Sequence, residues 1–231
     1  MTIKAVVFDL DGTITAFNID YMAVRAEVRS LLISAGLPAS VLSTNESIFE
    51  MLKKVEIFMK NTGKTRKTFE DIREKTLAIA EKHEMEAAKS TSLLSGVEET
   101  LKAVKEMNLK IGLCTINSER STNYILRRFK IAKYFDAVTP RDKMRYVKPN
   151  TEHLEATLKT LEVNPEEAML VGDGTRDMQC ARELKVVSVG LPTGLSSEKE
   201  LMVSGANYFI TSLTDLPTLI ESINRIQENK D

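Results

Sequence analysis

Two aspartates stand two residues apart at the end of a short apolar run, Val6-Val7-Phe8-Asp9-Leu10-Asp11-Gly12-Thr13. At a strand end both carboxylates can point toward one space, while Gly12 lets the chain turn away sharply. Two such anions repel unless a cation sits between them. A second acidic pair occurs in Gly172-Asp173-Gly-Thr-Arg-Asp177, again after an apolar run. Gathered on one rim, Asp9, Asp11, Asp173 and Asp177 would form an all-oxygen set suited to Mg²⁺. One of these carboxylates could act as a nucleophile, with the metal screening its repulsion from an anionic phosphate. Lys148 would add a fixed positive charge and Thr115 a hydroxyl donor for phosphate oxygens. Taken singly, each signal has a plainer reading. Asp-x-Asp-Gly and Gly-Asp-Gly are common turn sequences, Thr115 suits a cap for a helix beginning near Glu119, and Lys148 suits a solvated loop lysine before Pro149. Joint placement after four different strands is what favours a site.

Those strands are short β-branched or aliphatic runs: Ala5 to Leu10, Lys110 to Thr115, Phe135 to Thr139, Ala168 to Gly172, Val186 to Gly190 and Tyr208 to Ile210. Segments with helical spacing separate them: Val97 to Met107, Glu119 to Phe129, Thr151 to Leu161, Arg176 to Leu184, Glu198 to Ser204 and Leu216 to Ile226. Such alternation predicts a mostly parallel sheet covered on both faces, which binds ligands at the carboxyl ends of its strands. Asp9 and Asp11 end the first strand, Thr115 ends the second, Asp173 follows the fourth, and Lys148 lies in the loop after the third. From about Ala16 to Thr91 there is no strand-like run, only long amphipathic segments such as Asn45 to Lys60 and Arg66 to Lys89. The expectation is an all-helical insertion at 16–91 inside a discontinuous α/β core of residues 1–15 and 92–231.

Composition narrows the function classes. The 231 residues are 42% hydrophobic and 28% charged, which excludes a disordered or collagenous chain. Lys and Arg number 32 against 33 Asp and Glu, so no global positive field exists to hold nucleic acid. Cys114 and Cys180 form neither a Cys-x-x-Cys pair nor a disulfide framework, which fits a reducing cytoplasm. No apolar run has the length of a signal core or a membrane span, so a soluble protein without a membrane partner is expected.

The four polar stations together resemble the haloacid dehalogenase superfamily of aspartyl-phosphate-forming phosphohydrolases. The resemblance rests on Asp9-Leu-Asp-Gly-Thr13 after a hydrophobic strand, Thr115 ending Ile111-Gly-Leu-Cys-Thr115, Lys148 of Val147-Lys-Pro149, and the G-D-x-x-x-D of Gly172 to Asp177. It implies an α/β fold, a Rossmann-like mostly parallel sheet with helices on both faces, and it identifies the insertion with the family's helical cap of the first type. Phosphoglycolate phosphatases and β-phosphoglucomutases share this layout. By the resemblance, Asp9 attacks phosphorus, and Asp11 protonates the leaving oxygen and then activates water. Lys148 and Thr115 hold the phosphate, so Asp9, Asp11, Thr115 and Lys148 are the expected catalytic set. The expected Mg²⁺ ligands are a carboxylate oxygen of Asp9, the main-chain carbonyl of Asp11 and the Asp173 side chain, with Asp177 in or next to the coordination sphere and orienting Lys148. Asp11 argues against the dehalogenase branch, whose leaving halide needs no proton.

The chain departs from the pattern where Ile116 separates Thr115 from Asn117, which makes Asn117 a weaker candidate for a phosphate or substrate contact. Arg141, in the charged segment before Lys148, has the length to reach the site but reads more simply as a solvated loop residue, and His83 and His153 read as solvated helix residues. Met51, Met59 and Met85 read as packing residues of the helical insertion. By the resemblance the cap closes over the site and selects the substrate, with Asn18, Tyr21 and Arg25 as candidates beside plain surface positions. The leading expectation is a Mg²⁺-dependent phosphatase of a small phosphorylated metabolite, acting as a monomer or small homo-oligomer. A phosphomutase on the same scaffold is the alternative, and a non-catalytic binding protein is the least favoured reading.

Overall fold

The computed structural model describes residues 2–228. Met1 and residues 229–231, which the sequence reading assigns to the core, lie outside the described residues. The described residues divide into two compact units, one of residues 2–18 and 90–228 and one of Ile19–Lys89.

The first unit is built on six parallel strands: β1 (Ala5–Phe8), β2 (Lys110–Cys114), β3 (Ala137–Thr139), β4 (Ala168–Gly172), β5 (Val187–Gly190) and β6 (Tyr208–Phe209). Their order is β3-β2-β1-β4-β5-β6. The central strands are apolar on both faces, as β1 and β4 show by being buried at every position. The intervening helices are α4 (Val97–Glu106), α5 (Glu119–Arg128), α6 (Thr151–Leu161), α7 (Thr175–Leu184), α8 (Glu198–Ser204) and α9 (Leu216–Glu228), while α1 to α3 belong to the other unit. Right-handed crossovers put α4 and α5 on the opposite sheet face from α6 and α7, because the direction of strand addition reverses after β3. On the second face Leu154, Leu158 and Leu161 of α6 and Cys180 and Ala181 of α7 pack with Ala5, Val7 and Leu170. Burying an aliphatic side chain of this kind contributes roughly 1.5–3 kcal/mol.

The reversal of strand order falls between β1 and β4, whose register pairs Phe8 with Val171. Sheets of this kind bind ligands at such a junction, at the carboxyl ends of both strands.

The second unit holds α1 (Tyr21–Ser34), α2 (Ile48–Asn61) and α3 (Arg66–Ser90, whose last residue falls in the first unit). The Asp20 side chain caps α1 by accepting from Ala23 N, and Ser47 and Glu50 form a reciprocal capping box on α2. Val24, Val28 and Leu32 of α1 meet Met51, Val55 and Met59 of α2 and Ile72 and Ala80 of α3. Met51 and Met59 are thus packing residues, while Met85 is half-buried. Among the described residues no helix is long and apolar enough to cross a membrane.

Candidate active site

Two connections, those after β1 and β4, bring carboxylates to this end of the sheet. Asp9 follows β1, and its N–H still donates to Val171 O, so the strand pairing holds its backbone. Asp173 follows β4. Asp177 sits in the first turn of α7, where its Oδ2 accepts from Gly174 N at 3.2 Å and leaves Oδ1 to face inward. One oxygen from each of Asp9, Asp173 and Asp177 lies within 4.8 Å of the others. Burial pushes the Asp173 carboxyl up to about 8, reinforced by the negative charges of Asp9 and Asp177. Burial likewise lifts Asp9 to about 6, against the attraction of Lys148. A hard divalent cation fits this donor set, since it would relieve both the mutual repulsion and the desolvation of three oxygen ligands.

Asp11 does not join that cluster through its carboxylate. Its Oδ2 accepts from Asn117 Nδ2 at 2.6 Å and its Oδ1 accepts from Thr15 Oγ1 at 3.2 Å. The structure therefore gathers three side-chain carboxylates where the sequence suggested up to four. Gly12, at φ 82°, turns the chain between Asp11 and Thr13, and Thr13 Oγ1 donates to Asp173 Oδ1 at 3.3 Å.

Lys148 is buried and is not a solvated loop lysine. Its ammonium donates to Asp9 Oδ1 at 2.7 Å, to Cys114 O at 2.7 Å and to Asp177 Oδ1 at 2.5 Å. These use all three of its protons. Burial disfavours the charge, but Asp177 and Asp9 hold the pKa of Lys148 well above the usual lysine range. Thr115 is buried beside them, and its Oγ1 accepts from Asn117 N at 3.2 Å. It does not cap α5, because Ser118 does so by accepting from Ser121 N.

Two further expectations are corrected. His153 is fully buried: its Nε2 lies 3.0 Å from Thr139 O and its Nδ1 accepts from Lys148 N at 3.4 Å. Burial, aided by the Lys148 charge, lowers its pKa to about 4, so the ring is neutral and Nε2 carries the proton. The helical charge pattern around His153 hid the fact that its face of α6 is the one against the sheet. Arg141 is also buried, with Nη1 donating to Ile116 O and its main-chain N–H to Asn117 O. By contrast His83 lies in the helical unit, partly exposed and 2.8 Å from Glu27 Oε2. Arg25 lies 5.7 Å from the Tyr21 ring and donates to Thr44 O, and Asn18 is exposed.

The loop after β5 also reaches the site, through Thr193 and Gly194, neither of which sequence reasoning singled out. The available signal was the rule applied to the other strands, that residues following a parallel strand deserve inspection.

A family model described as haloacid dehalogenase-like hydrolase matches residues 6–191. A pyrophosphatase PpaX of Bacillus cereus (strain G9842) is 26% identical over 231 residues, covering 97% of this chain and 100% of that protein. Among solved structures, a β-phosphoglucomutase from Clostridium difficile superposes with TM-score 0.67 at 21% identity, with 100% of each chain covered. The structure of a predicted phosphoglycolate phosphatase from Haemophilus somnus 129pt gives TM-score 0.64 at 20% identity over 95% of this chain and 98% of its own.

Proposed function

We propose, from the premise that this chain belongs to the haloacid dehalogenase-like hydrolase family, that it is a Mg²⁺-dependent phosphatase of a small phosphorylated metabolite, working through an aspartyl-phosphate on Asp9. The observation that carries this reading is the surroundings of Asp9. Its Oδ1 is held by Lys148 Nζ at 2.7 Å, and its carboxylate lies with those of Asp173 and Asp177 within 4.8 Å. With one oxygen pinned, the other is directed for in-line attack on phosphorus.

The residues that would hold the ion are Asp9 and Asp173 through their side chains and Asp11 through its main-chain carbonyl. Asp177 is engaged with Lys148 and Gly174, so its part is to fix the lysine beside the ion. When bound, Mg²⁺ supplies Lewis-acid stabilisation of phosphoryl charge and screens the nucleophile from it.

In the first step an Asp9 oxygen forms a bond to phosphorus as the ester P–O bond breaks, and the protonated Asp11 carboxyl gives its proton to the departing oxygen. In the second step Asp11, now a carboxylate, takes a proton from water as the water oxygen bonds to phosphorus. The Asp9–phosphorus bond breaks, and inorganic phosphate and the Asp9 carboxylate are released. The Asn117 amide keeps Asp11 turned away from the carboxylate cluster for both transfers. Lys148 offsets part of the negative charge of Asp9 and Asp177, which lowers the cost of bringing in a dianion, and the Thr115 hydroxyl donates to a phosphate oxygen. Substrate choice falls to the helical segment 16–91.

The full-length match to relatives named pyrophosphatases adds inorganic pyrophosphate to the substrates worth testing. The test is phosphate release from pyrophosphate, phosphoglycolate and sugar phosphates, with Mg²⁺ or EDTA. Asp9→Asn should lose turnover while remaining folded, since an amide cannot form the acyl phosphate. Wild-type-like turnover by Asp9→Asn sinks the proposal, and a requirement for a bisphosphate activator would replace it with a phosphomutase.

A further inference from the structure

The geometry points to the turn after β5, Leu191-Pro192-Thr193-Gly194, as the element that sets the direction of the Asp173 carboxylate and thereby the affinity of the site for its cation. Thr193 and Gly194 are its positioning residues. This inference rests on the metal-dependent reading above.

The turn is tied to both loops that carry the acidic residues. Leu191 N–H donates to Gly172 O at 3.0 Å, which extends the β4–β5 pairing to the residue before Asp173. Thr193 Oγ1 donates to Gly12 O, in the turn that follows Asp11. Through these bonds one four-residue segment fixes the Asp11–Thr13 turn relative to Asp173.

The second observation concerns space. A Cβ built on Gly194 would fall on Asp173 Oδ2, far inside van der Waals contact, and a Cβ built on Gly12 would collide with the same oxygen. Oδ2 therefore lies in a slot between two glycine α-carbons from different loops, while Oδ1 accepts from Thr13. Gly12 has φ 82°, so its backbone alone favours glycine, but Gly194 is not among the glycines with positive φ. At 194 an alanine meets no conformational objection. What excludes a side chain there is the carboxylate itself, and a methyl group would turn Asp173 about its χ angles, away from its position beside Asp9. Groups that orient a metal ligand in this way typically change affinity 10–100-fold when altered.

The experiment is calorimetric titration of the full chain with Mg²⁺, without substrate, alongside thermal unfolding in EDTA. Gly194→Ala is expected to weaken Mg²⁺ binding about tenfold or more with no fall in the EDTA midpoint. Thr193→Val, which keeps shape and loses the hydroxyl, should weaken binding severalfold, whereas Thr193→Ser, which keeps it, should bind as wild type does. Wild-type Mg²⁺ affinity in Gly194→Ala overturns the inference. Should that variant not fold, equal affinity in Thr193→Val and Thr193→Ser overturns it instead. If wild type itself binds no Mg²⁺, the metal-dependent reading fails, and this inference falls with it for that separate reason.

Discussion

Asp11 and Asp9 are two residues apart, yet their surroundings separate their tasks. Asp9 faces an ammonium and two carboxylates, whereas Asp11 faces an amide and a hydroxyl. A proton donor and acceptor at 11 is needed twice in the proposed reaction, and the two uses can be told apart. With p-nitrophenyl phosphate the leaving group departs without a proton, so Asp11→Asn should release about one equivalent of nitrophenol per site in a burst and then stall. Steady-state turnover should fall by roughly 10²–10⁴. A slow linear release with no burst would show that 11 matters only for the first step. His153 supplies a pH signature. Its folded pKa of about 4 lies below the unfolded value of 6.5, so below pH 6.5 the unfolded chain takes up a proton that the native protein refuses. Stability from this residue is full above pH 6.5 and is lost as pH falls toward 4. Equilibrium unfolding of wild type and His153→Gln should diverge in slope across that window and run parallel above it, and parallel slopes throughout would remove the role given to the ring. The sequence offered the acidic residues, Thr115 and Lys148 as candidates because their joint placement at the ends of four strand-like runs is readable from the chain itself. It misjudged His153 and Arg141, because which side of an element faces the sheet depends on partners far along the chain.

At the scale of elements, runs of β-branched residues marked the strands well, and the boundaries slipped where one hydrogen bond decides them. The third strand reads from Phe135 in sequence but begins at Ala137, because Phe135 closes a short helical turn and pairing with β2 is announced only by Asp136 N–H to Ile111 O. Tyr208 to Ile210 shortens to Tyr208–Phe209, although Ile210 N–H still donates to Gly190 O. The helix expected from Asn45 starts at Ile48, since Ser47 turns its hydroxyl back to Glu50 N and takes the Glu50 carboxylate on its own N–H. That Ser-x-x-Glu spacing was in the sequence and marks the boundary better than periodicity does. Ser47→Ala should cost about 1 kcal/mol in chemical denaturation, with phosphatase kinetics unchanged if α2 keeps its place. A loss below a few tenths of a kcal/mol would mean that packing of Met51 and Val55 alone sets the start of the helix.

For the molecule as a whole, the acidic cluster makes stability depend on metal and pH together. Asp9 and Asp173 have native pKa values of about 6 and about 8, above the unfolded value of 3.8. Without a cation, these two groups bind more protons in the native state than in the unfolded one, and the stability they contribute falls as pH rises from about 4 to about 8. Mg²⁺ should cancel that loss, so its effect on the unfolding midpoint should grow from pH 5 to pH 8. At a hundredfold excess over Kd the gain is about 2.7 kcal/mol. A midpoint shift that shrank with rising pH would contradict the charge balance described for the cluster. The strand order has a consequence for how the protein is made. β1 lies between β2 and β4, and its register joins Ala5 to Lys110 on one side and to Ala168 on the other. At a synthesis rate of about 5–20 residues per second, β1 leaves the ribosome roughly 8–30 s before its second neighbour exists. In that interval the helices of Ile19–Lys89, whose hydrophobic cluster is drawn from that segment alone, can assemble first. Asp9, the proposed nucleophile after β1, is translated well before the residues that surround it, so a nascent chain lacks the acidic cluster until β4 and Asp173 have emerged.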